Sequence, residues 1–305
     1  MTVSGQGPVE PPGVSIVIAV LNQVDYTRRC LDSLRANTDI PHEIIIIDNG
    51  SSDGSDGVCA AAGCRVIRNE ENVGCARAWN QGIRAARFPL IVIMNNDIIV
   101  PPGWLRALVE FWQRAGFDLI SPAVINGPVC ENLPDLAVEY CRYFAGRRRA
   151  GWRGECFLTS RAVYDKVGLF DERFVRGGFE DDDLDIRLRR AGLRSAITGA
   201  TLIHHFGQIT QRALAGGTWK RVKNPNKTLL ERKWGWRLQL RRVRKELAKL
   251  WFRLRFPDFH GRDPYDVLVI WENEEIDLAR GIKQRRQAAG NGSPTRSILL
   301  RKSDG

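Results

Sequence analysis

The chain has 305 residues, 43% of them hydrophobic and 27% charged, a composition that excludes a mainly disordered chain, a collagen or a disulfide-built miniprotein. The length suits one large α/β domain or two ordinary ones, with a sizeable buried core. The net charge is +11, but residues 231–256 alone hold ten Lys/Arg against two Glu, so the basicity belongs to one segment.

Seven scattered cysteines (30, 59, 64, 75, 130, 141 and 156) without any CxxC read as reduced thiols of a cytosolic protein, not as a bridge framework or a zinc site. No apolar run approaches the ~20 residues that span a bilayer. The first fifteen residues lack a charged stretch followed by an apolar one, so no signal peptide is expected.

In chain order, residues 1–13 read as a loose leader. Val14–Val20 is a β-branched run, as in a buried strand. A helix is predicted over Tyr26–Ala36, and a second buried strand over Ile44–Ile47. That strand runs into the turn-rich Asp48-Asn-Gly-Ser-Ser-Asp-Gly54. A helix to about Ala62, a small strand at Arg65–Ile67, a helix opened by Asn72-Val-Gly74 and running to Ala86, and a strand at Leu90–Met94 follow. This βαβαβαβ alternation predicts a Rossmann-like, mainly parallel sheet with helices on both faces. Residues 122–150 show no clear periodicity. Beyond them, strands are predicted at Gly154–Leu158 and Ala196–His204, and helices at Arg161–Val167 and Asp182–Ala191. Residues 206–225 are again unreadable, and the Gly- and Ser-containing last fifteen residues read as a tail.

Ligands of open parallel sheets bind beyond the carboxyl ends of the strands. Three such ends carry polar residues: Asn22, Asp48 and Asp97. Asp48 can accept a hydrogen bond from a nucleobase or ribose, though Asp-Asn-Gly is also a good turn in its own right. In Asn95-Asn96-Asp97, a carboxylate beside side-chain amides suits a hard divalent cation that also touches phosphate; capping of the next helix is the plainer alternative. Glu180-Asp181-Asp182-Asp183-Leu184-Asp185 packs five carboxylates into six residues. One or two would cap a helix. Five repel one another and raise the proton affinity of some, as a general base requires. His204-His205 follows a strand, and offers a metal ligand or a phosphate contact.

The ordered series resembles the family 2 glycosyltransferases with the glycosyltransferase A fold, over roughly Val14–Trp234. It consists of Val14-Ser-Ile-Val-Ile, Ile47-Asp-Asn-Gly-Ser-Ser-Asp-Gly54, Asn72-Val-Gly74 with Asn80-Gln-Gly82, Met94-Asn-Asn-Asp97, Gly168-Leu-Phe-Asp-Glu172, Glu180-Asp-Asp-Asp-Leu184, His205 with Thr210, and Asn226 with Lys233-Trp234-Gly235. The resemblance implies donor contacts at Asp48, Asn22, Asn72, Gly74 and Asn96. It implies a Mg²⁺ or Mn²⁺ site at Asp97, Asn95 and His205, with Asn95 standing where the family's metal motif has its first Asp. It implies Asp181 as general base, with the adjacent Glu180 as its rival. The implied reaction is direct displacement with inversion, from a UDP-, dTDP- or GDP-sugar to a glycan or lipid-linked hydroxyl, in bacterial cell-surface polysaccharide synthesis. The alternatives are a sugar nucleotidyltransferase, or a non-enzymatic basic nucleic-acid-binding protein. No glycine-rich phosphate loop supports the first. No recognisable binding module supports the second, so nucleic acid is not the expected partner.

The expected organisation is a leader (1–13), a catalytic domain (14–230; nucleotide half 14–121, acceptor half 122–230), a basic helical extension (231–290) and a tail (291–305). Within the extension, Trp236, Leu240, Val243, Leu247, Leu250, Trp251 and Leu254 form a stripe at helical period, with arginines largely off it. Such a helix over 236–256 either packs on the domain or docks on an anionic membrane. The expected location is cytoplasmic, with a peripheral place on the inner face of the plasma membrane in the docking case.

Overall fold

The computed structural model describes residues 12–127, 132–175, 177–207, 209–214 and 225–235, together with residues 243, 247 and 250. In chain order its elements are β1 (Val14–Val20), α1 (Val24–Asn37), β2 (His42–Asp48), α2 (Ser55–Ala61), β3 (Arg65–Arg68), α3 (Cys75–Ala85), β4 (Leu90–Asn95), β5 (Ile98–Ile99) and α4 (Trp104–Ala115). Then come β6 (Leu119–Asn126), α5 (Leu133–Phe144), β7 (Arg148–Ala150), β8 (Cys156–Ser160), α6 (Arg161–Val167), α7 (Glu180–Arg190), β9 (Ser195–His205), α8 (Ile209–Leu214) and α9 (Pro225–Trp234).

The strands form one sheet in the order β3-β2-β1-β4-β8-β6-β9-β5, with β7 paired to β9. The unbroken apolar runs of β1, β2 and β4 follow from burial on both faces. Alternate residues serve different cores. Ile16, Ile18, Ile46, Val92 and Met94 pack on one side, against Leu31, Leu34, Trp104 and Leu108. Val17, Ile45, Ile47, Ile91 and Ile93 pack on the other, against Trp79, Ile83 and Phe157. The second layer fits closely because Gly82 of α3 lies directly over β1: a Cβ there would sit 2.2 Å from Val17 Cγ1.

β1, β2, β3 and β4 are parallel, with Val20 opposite Asp48 and Ala19 opposite Asn95. That register lines up the polar strand ends. The sheet then becomes mixed: β8 runs antiparallel to both β4 and β6, while β6 and β9 are parallel. Residue 121 lies within β6, so the two expected halves share one sheet, and α9 runs past residue 230. The stretch without readable periodicity holds the end of β6, α5 and β7. In α5 the buried Ala137, Tyr140 and Phe144 meet Leu202 of β9. Val138 beside them is 56% exposed and blurs the stripe. Helix α4 is N-capped by Gly103, not by Asp97, so the capping alternative for Asp97 does not hold.

Of the basic stripe, Val243, Leu247 and Leu250 are helical and each more than half exposed. The rest of 236–256, like the extension beyond it, the tail, Cys130 and nearly all of the leader, lies outside the described residues. Among the described residues the cysteines are unbridged, and no helix is long and apolar enough to cross a membrane.

Candidate active site

The parallel strand ends build one wall of a cleft lined by Val20, Leu21, Asn49, Asn72, Gly74, Asn95, Asn96, Asp97 and Thr210. Asn72 shapes its own turn: its Oδ1 accepts the Gly74 N–H at 2.9 Å. Asn22 and Asp48 are not among the lining residues. Asn22 has φ +53, and its Oδ1 accepts the Ser52 N–H at 2.8 Å, tying the first strand end to the loop after β2. Asp48 is fully buried. Its Oδ1 takes the Ser51 N–H at 3.1 Å, as a turn residue would. Its Oδ2 lies 3.6 Å from Arg68 Nη1 and has no hydrogen-bond partner, leaving one acceptor open. The turn and ligand readings of Asp48 therefore each have a structural correlate.

Asn95, Asp97 and His205 meet because β5 pairs with the end of β9, placing Ile98 opposite His205. His205 Nδ1 lies 2.8 Å from Asn126 Oδ1. An amide oxygen only accepts, so Nδ1 carries the hydrogen and a neutral ring presents its Nε2 lone pair. Nε2 sits 3.2 Å from Asp97 Oδ1 and 3.4 Å from Asn95 Nδ2. A lone pair facing a carboxylate oxygen needs a positive centre, either a proton on Nε2 or a shared cation. The carboxylate, amide and imidazole fit a hard divalent ion, although among the described residues no three His, Cys, Asp or Glu cluster to hold one. Asn96 turns partly aside, donating to Thr27 Oγ1 of α1 at 2.9 Å. His204 is structural: its ring bonds the Gly127 carbonyl at 2.9 Å, and burial lowers its proton affinity.

The acid cluster divides. Asp183 is fully buried, and is paired to Arg187 at 2.9 Å and to Lys233 at 2.7 Å. Asp185 holds Arg189 at 3.0 Å and accepts from Trp152 Nε1 at 3.1 Å. These two are stabilising ion pairs within the helix, so five mutually repelling carboxylates overstated the crowding. Glu180 and Asp181 differ. Among the described residues no basic side chain pairs with either. Burial first, and the neighbouring acids second, push Glu180 up to about 7 and Asp181 up to about 6. Glu180 is 5% exposed, with Oε2 unpartnered. Asp181 is only half-buried.

Asp181 reaches the cleft's edge through Gly154, where a Cβ would lie 2.9 Å from Asp181 Oδ2. The next residue, Glu155, accepts the Asn95 N–H with its carbonyl at 2.9 Å. The small Gly154 leaves room for this approach of the acid turn to the β4–β8 end, so the general-base candidates and the candidate metal ligands flank one strand pair. Cys75, which lines the cleft, also feels the charges of Glu180 and Asp181. Reading the strand ends alone misses Trp79. It lines the cleft from α3, 5% exposed, with an indole N–H that has no partner. Its place on the helix's apolar face gave only a core signal.

The model of the family described as glycosyl transferase family 2 matches residues 15–170. Among curated relatives, N-acetylglucosaminyl-diphospho-decaprenol L-rhamnosyltransferase of Mycobacterium tuberculosis (strain CDC 1551 / Oshkosh) is 27% identical over 264 residues, covering 72% of this chain and 85% of that protein. Succinoglycan biosynthesis protein ExoU of Rhizobium meliloti (strain 1021) is 32% identical over 206 residues, covering 61% and 60%. Among solved structures, the mannosyltransferase PcManGT from Pyrobaculum calidifontis, in complex with GDP-Man and Mn²⁺, superposes with a TM-score of 0.52 at 15% identity, covering 91% of this chain and 81% of that one. The mixed sheet with helices on both faces is thus the glycosyltransferase A fold, the transferase reading replaces the nucleotidyltransferase and nucleic-acid alternatives, and the chain belongs to glycosyl transferase family 2.

Proposed function

We propose that this glycosyltransferase is an inverting enzyme that moves a hexosyl or deoxyhexosyl unit from a UDP-, dTDP- or GDP-sugar to a hydroxyl of a lipid-linked glycan, in bacterial cell-surface polysaccharide synthesis. The observation that carries this is the separation of two chemistries across one strand pair: Asp97 and His205 on one side, and an unpaired, proton-retaining carboxylate pair on the other. The relatives named for decaprenol-linked rhamnosyl transfer and for succinoglycan synthesis support the acceptor class and the pathway.

Asp48 and Asn22 hold the base and ribose end of the donor through the loop after β2, and Asn72, Gly74 and Asn96 line its path. Asp97 and His205, with Asn95 beside them, would hold Mg²⁺ or Mn²⁺. Such an ion, when bound, would offset the charge of the departing diphosphate. Asp181 takes the proton of the acceptor hydroxyl on its carboxylate, and the hydroxyl oxygen displaces the nucleoside diphosphate from the opposite face of the sugar. Pushed up to about 6 rather than about 7 and less deeply buried, Asp181 suits that role better than Glu180. One base suffices, and no carboxylate nucleophile is needed.

The catalytic unit runs from residue 14 through α9, with the basic extension and tail outside it. The exposed helical Val243, Leu247 and Leu250, set among arginines and lysines, support docking of residues 236–256 on an anionic membrane at the cytoplasmic face. The test is a panel of UDP-, dTDP- and GDP-sugars with Mn²⁺ and a diphosphopolyprenol-linked N-acetylglucosamine acceptor, read by nucleoside diphosphate release and by NMR of the new anomeric bond. Release with inverted configuration is expected; a retained configuration overturns the displacement.

A further inference from the structure

The base pair of carboxylates is carried by an irregular segment. Between α6 and α7 the described residues form no helix or strand, Gly177 and Gly178 both have positive φ, and Phe179 enters α7 with φ +75, a conformation that bulky residues rarely adopt. Something outside the segment must determine it. Two buried asparagines do so, each 1% exposed. Asn80 of α3 fixes the beginning: its Oδ1 accepts the Phe170 N–H at 3.0 Å and its Nδ2 donates to the Phe170 carbonyl at 2.9 Å. Asn226 of α9 fixes the end. Its Oδ1 accepts the Val175 N–H at 3.0 Å, and its Nδ2 donates to the carbonyls of Val175 at 2.6 Å, Gly178 at 2.9 Å and Gly177 at 3.3 Å. The Asn226 grip ends two residues before Glu180.

The other end of α9 holds the far side of the same acid turn. Trp234 Nε1 donates to Asp183 Oδ1 at 2.7 Å, and Lys233 Nζ bridges Asp183 and Asp171, both at 2.7 Å. Phe174, Ile186, Leu230 and Trp234 pack between the two grips. Glu180 and Asp181 therefore lie on a turn clamped on both sides by one helix that is remote in sequence.

We infer that Asn226 is a positioning residue for the general base: by tying the carbonyls of 175, 177 and 178 it holds Phe179 in its left-handed conformation and Asp181 against Gly154. This rests on the assignment of the Glu180–Asp181 pair as the catalytic carboxylates. Freed of the clamp, the turn loosens, water reaches the pair, and the largest cause of their raised proton affinity weakens. The groups facing the pair are Asp182 from its own helix, Glu155 (with Arg153 attached) from the turn before β8, and the Cys75 thiol at the start of α3. Of these, Glu155 and Cys75 lie outside the loosened turn, and Asp182 moves with the pair.

The experiment compares Asn226→Ala with Asn80→Ala in the full chain. Turnover is counted per donor-binding site from calorimetric stoichiometry, so unfolded protein drops out. Asn226→Ala is expected to lose at least about tenfold in kcat per site, with donor affinity within twofold and the acid limb of the kcat–pH profile moved to lower pH. Asn80→Ala, which removes an equally buried clamp acting on Phe170, eleven residues before the base, is expected to lower Tm without moving that limb. Should Asn226→Ala bind no donor, Asn226→Ser, which keeps one hydroxyl donor, is expected to show the same shift at smaller size. Asp181→Asn separates the two ideas. If it is inactive while both Asn226 variants keep normal turnover per site and a wild-type limb, the positioning role is overturned alone. If Asp181→Asn and Glu180→Gln both turn over normally, the base assignment falls with it.

Discussion

The two sides of the cleft are held in opposite ways. On the donor side, the acidic and metal-site residues sit where apolar strands stop: Asp48 ends β2, Asn95 ends β4, and Asn96 and Asp97 follow it. Their position is set by parallel register, with Val20 opposite Asp48 and Ala19 opposite Asn95. On the base side, the described residues between α6 and α7 form no strand or helix of their own. The segment is held by side chains reaching from Asn80, Asn226, Lys233 and Trp234. Backbone ladders are local and tolerate single substitutions; side-chain clamps concentrate the same task in a few atoms. Substitutions on the two sides should therefore fail differently, and the following outcomes sharpen or break that contrast.

The largest effect is expected on the donor side at Asp97. Asp97→Ala leaves His205 Nε2 without its carboxylate neighbour and should lose about 10³-fold in kcat/KM, as several kcal/mol of charge stabilisation disappear. Because Asp97 is positioned by strand register, the fold should survive, as circular dichroism would show. The metal-dependent part of nucleotide affinity should vanish in calorimetry. Full activity in this variant, or in excess chelator, would break the donor-side half of the contrast.

Next is Asp181→Asn, expected to cut turnover by about 10²-fold or more while donor affinity stays. Its stability should move the other way. In the folded chain both acids retain protons to higher pH than the ordinary carboxyl, so between about 4 and 7 the folded state binds more protons than the unfolded one, and stability falls as pH rises through that window. Glu180→Gln removes this buried charge, and should raise stability at pH 8 by on the order of 1–3 kcal/mol, with little gain at pH 4. Denaturant midpoints at the two pH values decide it. An inactive but more stable variant would mark the site as one where function is kept at a cost in stability.

How legible each side was in the sequence follows from the same contrast. A strand end announces itself as an apolar run followed by a polar residue, so Asp48, Asn95 and Asp97 were readable, as were β1 to β4. The antiparallel place of β8 was not, because insertion of a strand between β4 and β6 leaves no mark in its own five residues. The acid cluster was visible, but its division into paired Asp183 and Asp185 and unpaired Glu180 and Asp181 depends on Lys233, Trp234 and Trp152, each at least 30 residues away. Asn226 stood out only as part of a resemblance; its grip on a segment 51 residues earlier leaves no local pattern.

A smaller effect is expected at Lys233. Asp183 is fully buried, and Lys233→Met removes one of its three partners while Arg187 and Trp234 remain. Full loss of compensation for a buried charge costs about 3–5 kcal/mol. With two partners left, about 1–3 kcal/mol is expected, read as a lower urea midpoint at an unchanged slope. Donor affinity should not move, since α9 touches the base side. A matching fall in donor affinity would show that the two sides are not independently held.

The smallest effect concerns the segment that neither side uses. Leu247→Glu replaces the middle of three exposed apolar residues on the basic stripe. If the stripe docks on an anionic bilayer, the variant gives up the insertion of one leucine, worth about 1.5–3 kcal/mol when fully buried, and adds a repelled charge. The ten Lys/Arg of 231–256 remain, each worth about 1 kcal/mol near such a surface, so binding should weaken by about 10²-fold without being abolished. Sedimentation of the full chain with phosphatidylserine-containing vesicles at low salt reads this directly, while turnover on a soluble acceptor stays at the wild-type value because Leu247 does not line the cleft. If the unsubstituted chain ignores those vesicles, the stripe packs against protein instead. Leu247→Glu would then lower Tm rather than vesicle binding, and the basic helix would join the base side as a further clamp.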